Sequence, residues 1–253
     1  LRQANVEIDL IPEAKKKAEE LARGFILKIK DKRPYITLKM AISIDGRIAT
    51  KTGHSKWISS EQSRERVQLL RSQSDAIMVG KNTLEIDQPR LNLRGALRER
   101  KQPLKVFLDR NLDISPLANK QEDEGLRSTI VFHGPTYNTK NKKLWERLGA
   151  ETVQIPLDNS KINLKNAVSI LSEKGVLNLL VEGGGEVASY LLKNKLLDKI
   201  IIYSSGLILG ANGTPIFAKI FDEATTIEQF PRFHLKKVTK LQNNIESVWD
   251  CNP

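Results

Sequence analysis

Residues 176–192, VLNLLVEGGGEVASYLL, constrain this chain more than any other stretch. Leu177, Leu179, Leu180 and Val181 make a short apolar run, three glycines follow Glu182, and an amphipathic segment opens behind them. A strand that is apolar at consecutive positions is buried on both faces, so it needs strands on either side and helices above and below. Glycines allow the backbone to turn sharply from that strand into a helix. The grammar is that of an α/β sheet layered by helices.

The rest of the chain repeats it. RPYITLKMAISIDGRIA (33–49) sets Tyr35, Thr37 and Lys39 against Ile36, Leu38 and Met40, which is strand periodicity ending at the Asp45-Gly46 turn signal. Further strands are expected at 75–80, 103–109, 128–134, 151–157 and 198–210, with helices at 59–73, 141–149 and 164–175 between them. Residues 12–24 read as a helix with Pro12 in its first turn and Gly24 near its end. Residues 81–94 read as a polar loop around Pro89, and 233–250 as an antiparallel pair joined by an Asn-Asn turn. The expected fold is one mixed central sheet flanked by helices, closing in that antiparallel pair.

Composition narrows the partners. With 41 basic and 30 acidic residues the 253-residue chain carries a formal charge of +11. Such a surplus suits nucleic acid, acidic membranes or phosphorylated small molecules. The lysine clusters at 14–17 and 140–143 have acids or loops around them and no interleaved aromatics, so nucleic acid is the lesser reading. No apolar run is long enough to span a membrane. The single cysteine, Cys251, excludes a disulfide within one chain and favours a reducing compartment. His54, His133 and His234 fall in no ligand spacing, so no metal is expected.

Gly183 to Ala188 satisfies the G-x-G-x-x-G/A dinucleotide pattern between a strand and a helix. The acid that should follow about 20 residues on is missing from IIYSSGLI, which disfavours a Rossmann domain. From spacing alone, the loop either approaches a phosphate or only makes a tight turn. Gly53-His-Ser-Lys-Trp57 joins small and hydroxyl residues to an indole that can stack or simply pack. Arg71 and Arg94 would make a bidentate phosphate clamp if the fold brought them together.

Taken in order, the motifs of residues 33–94 and LNLLVEGGGEVASYLL resemble the reductase domain of the bifunctional riboflavin-biosynthesis deaminase/reductase family, over roughly 33–250. Residues 1–32 resemble the end of its deaminase domain and a linker, leaving 33–253 as the reductase domain. The deaminase zinc signature is absent from this sequence. The resemblance implies a dihydrofolate-reductase-like fold, a cytoplasmic homodimer and NADPH-dependent reduction of 5-amino-6-(5-phosphoribosylamino)uracil to its ribitylamino product. It also implies cofactor contacts at Ala41, Asp45, Trp57, Thr83, Asp87 and the loop Gly184, Gly185, Glu186, Val187 on to Tyr190. Substrate contacts are implied at Ser55, Arg71, Leu91, Arg94 and Glu182. One departure is Arg110, which stands where a small hydroxyl residue is usual and could pair with a cofactor phosphate. Lys39 and Glu182 are the expected catalytic pair. The competing readings are a reductase of the aminated pyrimidine or of a pterin, and a degenerate nucleotide-binding domain supporting a deaminase.

Overall fold

The computed structural model describes residues 2–4, 6, 7, 9, 11–116, 126–217 and 226–251. Helix α1 (Pro12–Asp31) leads into β1 (Tyr35–Ile42), the short β2 (Arg47–Ala49), α2 (Glu61–Ser72) and β3 (Ala76–Gly80). Then come α3 (Lys81–Asp87), β4 (Leu104–Leu108), β5 (Thr129–His133), α4 (Thr139–Arg147) and β6 (Glu151–Gln154). A small hairpin of β7 (Leu157–Asp158) and β8 (Lys161–Ile162) precedes α5 (Leu164–Glu173), β9 (Asn178–Val181), α6 (Gly185–Lys193) and β10 (Lys199–Ser205). After β11 (Thr214–Pro215), the hairpin β12 (His234–Leu241) and β13 (Asn244–Asp250) ends the fold.

Nine strands form one sheet in the order β12-β13-β10-β1-β9-β3-β4-β5-β6 among the described residues. From β10 to β6 every neighbouring pair is parallel; β13 and β12 run antiparallel at one edge. The mixed sheet with a closing antiparallel pair is therefore as expected. Strand alternation divides the core in two. Ile36, Leu38, Met78 and Val106 pack under Leu171, Ala188 and Leu191 on one face, while Ile77, Val79 and Phe107 pack under Leu84 and Trp145 on the other. At the centre, Asp198 accepts two hydrogen bonds from Arg33 at 2.7 and 2.9 Å and one from the Ile36 amide at 2.8 Å. That carboxylate pins the start of β1 to the start of β10.

Three expectations are corrected. α1 does not stop at Gly24 but runs to Asp31, because Gly24 serves an approach rather than an end: a Cβ there would lie 2.5 Å from the Leu177 carbonyl oxygen. The supposed loop 81–94 begins as helix α3, where Lys81 to Asp87 follow directly on β3. The last hairpin turns at Gln242-Asn243, one residue earlier than expected, since Asn244 already pairs with Leu241 and Gln242 takes the left-handed conformation, φ 55°. Gly24→Ala is expected to lower unfolding free energy by about 1–3 kcal/mol in urea titrations, despite alanine's better helix propensity; equal or higher stability would contradict the close approach.

Candidate active site

The parallel strands bring their carboxyl ends to one edge, where ligands of open α/β sheets bind. β1 delivers Lys39 and Ala41 there, β3 runs into α3 with Thr83 and Asp87, β4 ends at Asp109-Arg110, and β9 ends at Glu182 before the glycines. These residues line a single cleft of about 1460 Å³. A pocket for one drug-sized ligand is roughly 300–1,000 Å³, so this one has room for two.

At its floor lies a charged cluster. Arg71 on α2 donates from Nε to Glu182 Oε1 at 2.6 Å and from Nη2 to Oε2 at 3.0 Å, with both side chains about nine-tenths buried. Burial opposes the Glu182 charge, but Arg71 and then Lys39 outweigh it and hold the carboxyl below its usual range. Lys39 donates no hydrogen bond to any described residue. Burial lowers its pKa, Glu182 acts against that shift and Arg71 adds to it. The cluster is thus a buried ion pair beside an ammonium with donors to spare.

Opposite stands the glycine loop. Gly184 caps α6 with no side-chain hydrogen bond, so the first-turn amides, which have no partner within the helix, border the cleft. A Cβ at Gly80 would lie 2.9 Å from Val187 Cγ2, and one at Gly183 would lie 3.2 Å from Val187 Cβ. A Cβ at Gly184 would point at Thr83 Oγ1, 3.6 Å away. These glycines hold α6 against the start of α3 and keep the concavity open. The uncapped amides and bare backbone fit a dinucleotide's phosphates.

The other expected residues divide. Ser55 donates to Asp87 Oδ1 at 2.8 Å, which ties the 53–57 loop to α3. Trp57 is exposed in the cleft with φ 69°, and the Arg64 guanidinium lies 4.4 Å from its ring centre. Glu186 lies 3.7 Å from Lys161. Arg94 is exposed and donates to Asn92 Oδ1 at 3.3 Å, while Arg71 reaches the Asn92 carbonyl at 3.4 Å. The two arginines do share the cleft, but the Arg71 fork is occupied by Glu182, so this arrangement does not present the joint clamp. Two residues stand outside the cleft lining. Asp45 accepts from the Leu209 and Gly210 amides at 3.1 and 2.7 Å, and the Leu91 side chain is 1 % exposed in the second core.

Comparison with known proteins locates the fold. The sequence profile described as the RibD C-terminal domain matches residues 34–246. The chain belongs to the RibD C-terminal domain family. The riboflavin biosynthesis protein RibD of Aquifex aeolicus is 37% identical over 210 residues, covering 83% of this chain and 56% of that protein. Acinetobacter baumannii RibD superimposes with a TM-score of 0.84 at 29% identity, over 99% of this chain and 67% of the other. A Thermotoga maritima diaminohydroxyphosphoribosylaminopyrimidine deaminase/5-amino-6-(5-phosphoribosylamino)uracil reductase gives 0.74 at 26% identity, over 93% and 61%. The chain thus spans roughly three fifths of the relatives it matches.

Within this RibD C-terminal domain, sequence reasoning passed over Arg64, Gln68 and the β7–β8 hairpin, all of which line the cleft. The hairpin had a signal: Asn159-Ser160 is a turn dipeptide between Leu157-Asp158 and Lys161-Ile162. Arg64 and Gln68 had none beyond their place on the helix that carries Arg71. Glu182→Gln should cost about 3–5 kcal/mol in chemical denaturation, because it strands the Arg71 charge. The double variant Arg71→Met/Glu182→Leu should regain most of that stability; no recovery would mean the pair is not the source of the loss.

Proposed function

We propose that this chain reduces the ribosyl group of 5-amino-6-(5-phosphoribosylamino)uracil to the ribitylamino product with NADPH. The observation that carries the reading is the placement of an unbonded lysine ammonium, Lys39, beside the Arg71–Glu182 pair and across one cleft from the glycine loop. Family membership supports the reaction class, and a cleft of two-ligand size suits a cofactor and a substrate together.

NADPH, when bound, supplies the hydride. The acceptor is C1 of the ring-opened ribosylamine: the C=N double bond becomes a C–N single bond and the nitrogen takes up one proton. Lys39 is positioned to donate that proton or to stabilise the charge that develops there. A lysine whose pKa is lowered by burial gives up a proton more readily than an exposed one. Glu182, fixed as a carboxylate by Arg71, accepts hydrogen bonds from the aminouracil or the sugar hydroxyls. Arg94, exposed and bonded to a neutral amide oxygen, is the better grip for the 5′-phosphate, with Ser55 next to it on the Asp87 tether. The glycine loop from Gly184 to Val187 holds the cofactor phosphates, with Thr83 facing it and Ala41 and Trp57 along the wall. Residues 1–32 are read as the connector to a deaminase domain like the one that the Thermotoga relative's name describes.

NADPH oxidation should be followed by absorbance with the deaminated and aminated ribosylaminopyrimidines and dihydrofolate offered separately. Turnover of the deaminated compound alone supports the reading, and turnover of dihydrofolate alone rejects it. Arg94→Ala should raise the KM for the pyrimidine far more than that for NADPH; equal changes would remove Arg94 from the substrate site. Lys39→Met should lower kcat about 10²–10⁴-fold. Because the Lys39 pKa is depressed, its ammonium is lost as pH rises, and the alkaline limb of kcat should fall below the ordinary lysine value of about 10.4. That limb should vanish in the methionine variant; its persistence would assign the limb to another group.

A further inference from the structure

Arg110 stands at the end of β4, where the main cleft meets a second cavity of about 470 Å³ bordered by Asn111, Tyr137 and Leu157. Its guanidinium is held at two points. Nε donates to Asn111 Oδ1 at 3.1 Å and Nη1 to the Ser160 carbonyl at 2.7 Å. Both acceptors are neutral, and Arg110 forms no ion pair with any described residue. Asp113, whose carboxylate feels the Arg110 charge, is already bonded to Lys81 at 2.6 Å and lies 3.4 Å from the Asn111 amide. A guanidinium has five N–H donors, so the Nη2 group and one further hydrogen remain available. An arginine immobilised by neutral groups on a cleft wall has already lost the rotamer freedom that binding an anion would otherwise cost.

The neighbouring hairpin strengthens the same corner. Asn159 and Ser160 have φ of 47° and 62°, both left-handed, as a two-residue hairpin turn requires. That turn aims the Ser160 carbonyl at Arg110 and places Lys161 on the cleft wall, 3.7 Å from Glu186 in the first turn of α6. Two cations from separate elements therefore flank the cleft beside the glycine loop. The carboxylates at this end are taken: Glu186 by Lys161, Asp113 by Lys81, and Asp109, only 1 % exposed, by the Ile114 amide. A ribose diol would find no open acid here, whereas a phosphomonoester would find a fixed guanidinium.

We propose that Arg110, with Lys161 beside it, binds the 2′-phosphate of the adenosine ribose and so selects the phosphorylated dinucleotide. This inference rests on the nucleotide reading of the glycine loop, and the test separates the two. Calorimetric titration of the purified chain with NADPH, NADH, 2′-AMP and 5′-AMP should show NADPH bound more tightly than NADH and 2′-AMP more tightly than 5′-AMP. Arg110→Ser should weaken NADPH and 2′-AMP about ten- to hundredfold and leave NADH within about twofold. Arg110→Lys should recover part of the loss, and Lys161→Gln should show a smaller loss of the same kind, each variant being checked for wild-type circular dichroism. If the wild-type chain binds NADH as tightly as NADPH, or if Arg110→Ser weakens both alike, Arg110 is a strut and the inference fails while the nucleotide reading stands. If neither dinucleotide binds, both fall.

Discussion

The Arg71–Glu182 pair is the constraint on which the site depends. Two charges about nine-tenths buried cost desolvation that their attraction only partly returns, so the pair is better explained by what it positions than by stability. Glu182 leaves β9 with its amide bonded to the Met78 carbonyl on β3, so its backbone is fixed before its side chain meets Arg71. The contact then draws α2 onto the centre of the sheet. On the same helix Arg66 reaches Glu246 on β13 at 3.1 Å, and Glu246 also accepts from Tyr203 on β10 at 2.8 Å. α2 is thereby fastened at two places, to the parallel centre and to the antiparallel edge. Arg64 and Gln68, which face the cleft between those fastenings, inherit a fixed position.

A second constraint is steric. Val187 sits so close to Gly80 and Gly183 that any side chain there would push α6 away from β3. The glycines of the loop are thus needed twice, for the turn and for contact between α6 and the start of α3. This is why spacing alone could not choose between a phosphate loop and a tight turn: both demand the same residues. Geometry separates them, since α6 begins without a side-chain cap in a cleft that other strand ends complete.

Much of the sheet was legible because its strands are short apolar runs between punctuating turns, a pattern set by burial of both faces. Helix α1 was misread at Gly24 for the opposite reason: a glycine that ends a helix and one that admits a neighbouring backbone look alike until Leu177 is in place. α3 was hidden because seven residues with three polar side chains and no cap carry little helical signal, and tertiary packing of Leu84 decides the matter. In the site, Lys39, Glu182 and the glycines could be found from strand ends. The pairing of Arg71 with Glu182 could not, because 111 residues separate them and no periodicity encodes that distance.

The cationic surplus also takes on a more particular meaning. Most of the lysines are solvated, as their scatter suggested, but the cations of the cleft fall into two kinds. Arg71 is compensated by Glu182 and Lys81 by Asp113, each at 2.6 Å. Arg94 and Arg110 are instead steadied by the amide oxygens of Asn92 and Asn111 and by a backbone carbonyl. A neutral acceptor orients a guanidinium without cancelling its field, so an incoming phosphate meets nearly the full charge. The compensated cations build the walls and the uncompensated ones mark where phosphates should lie. On that division the +11 of the whole chain tells less about its ligands than the identity of two asparagines.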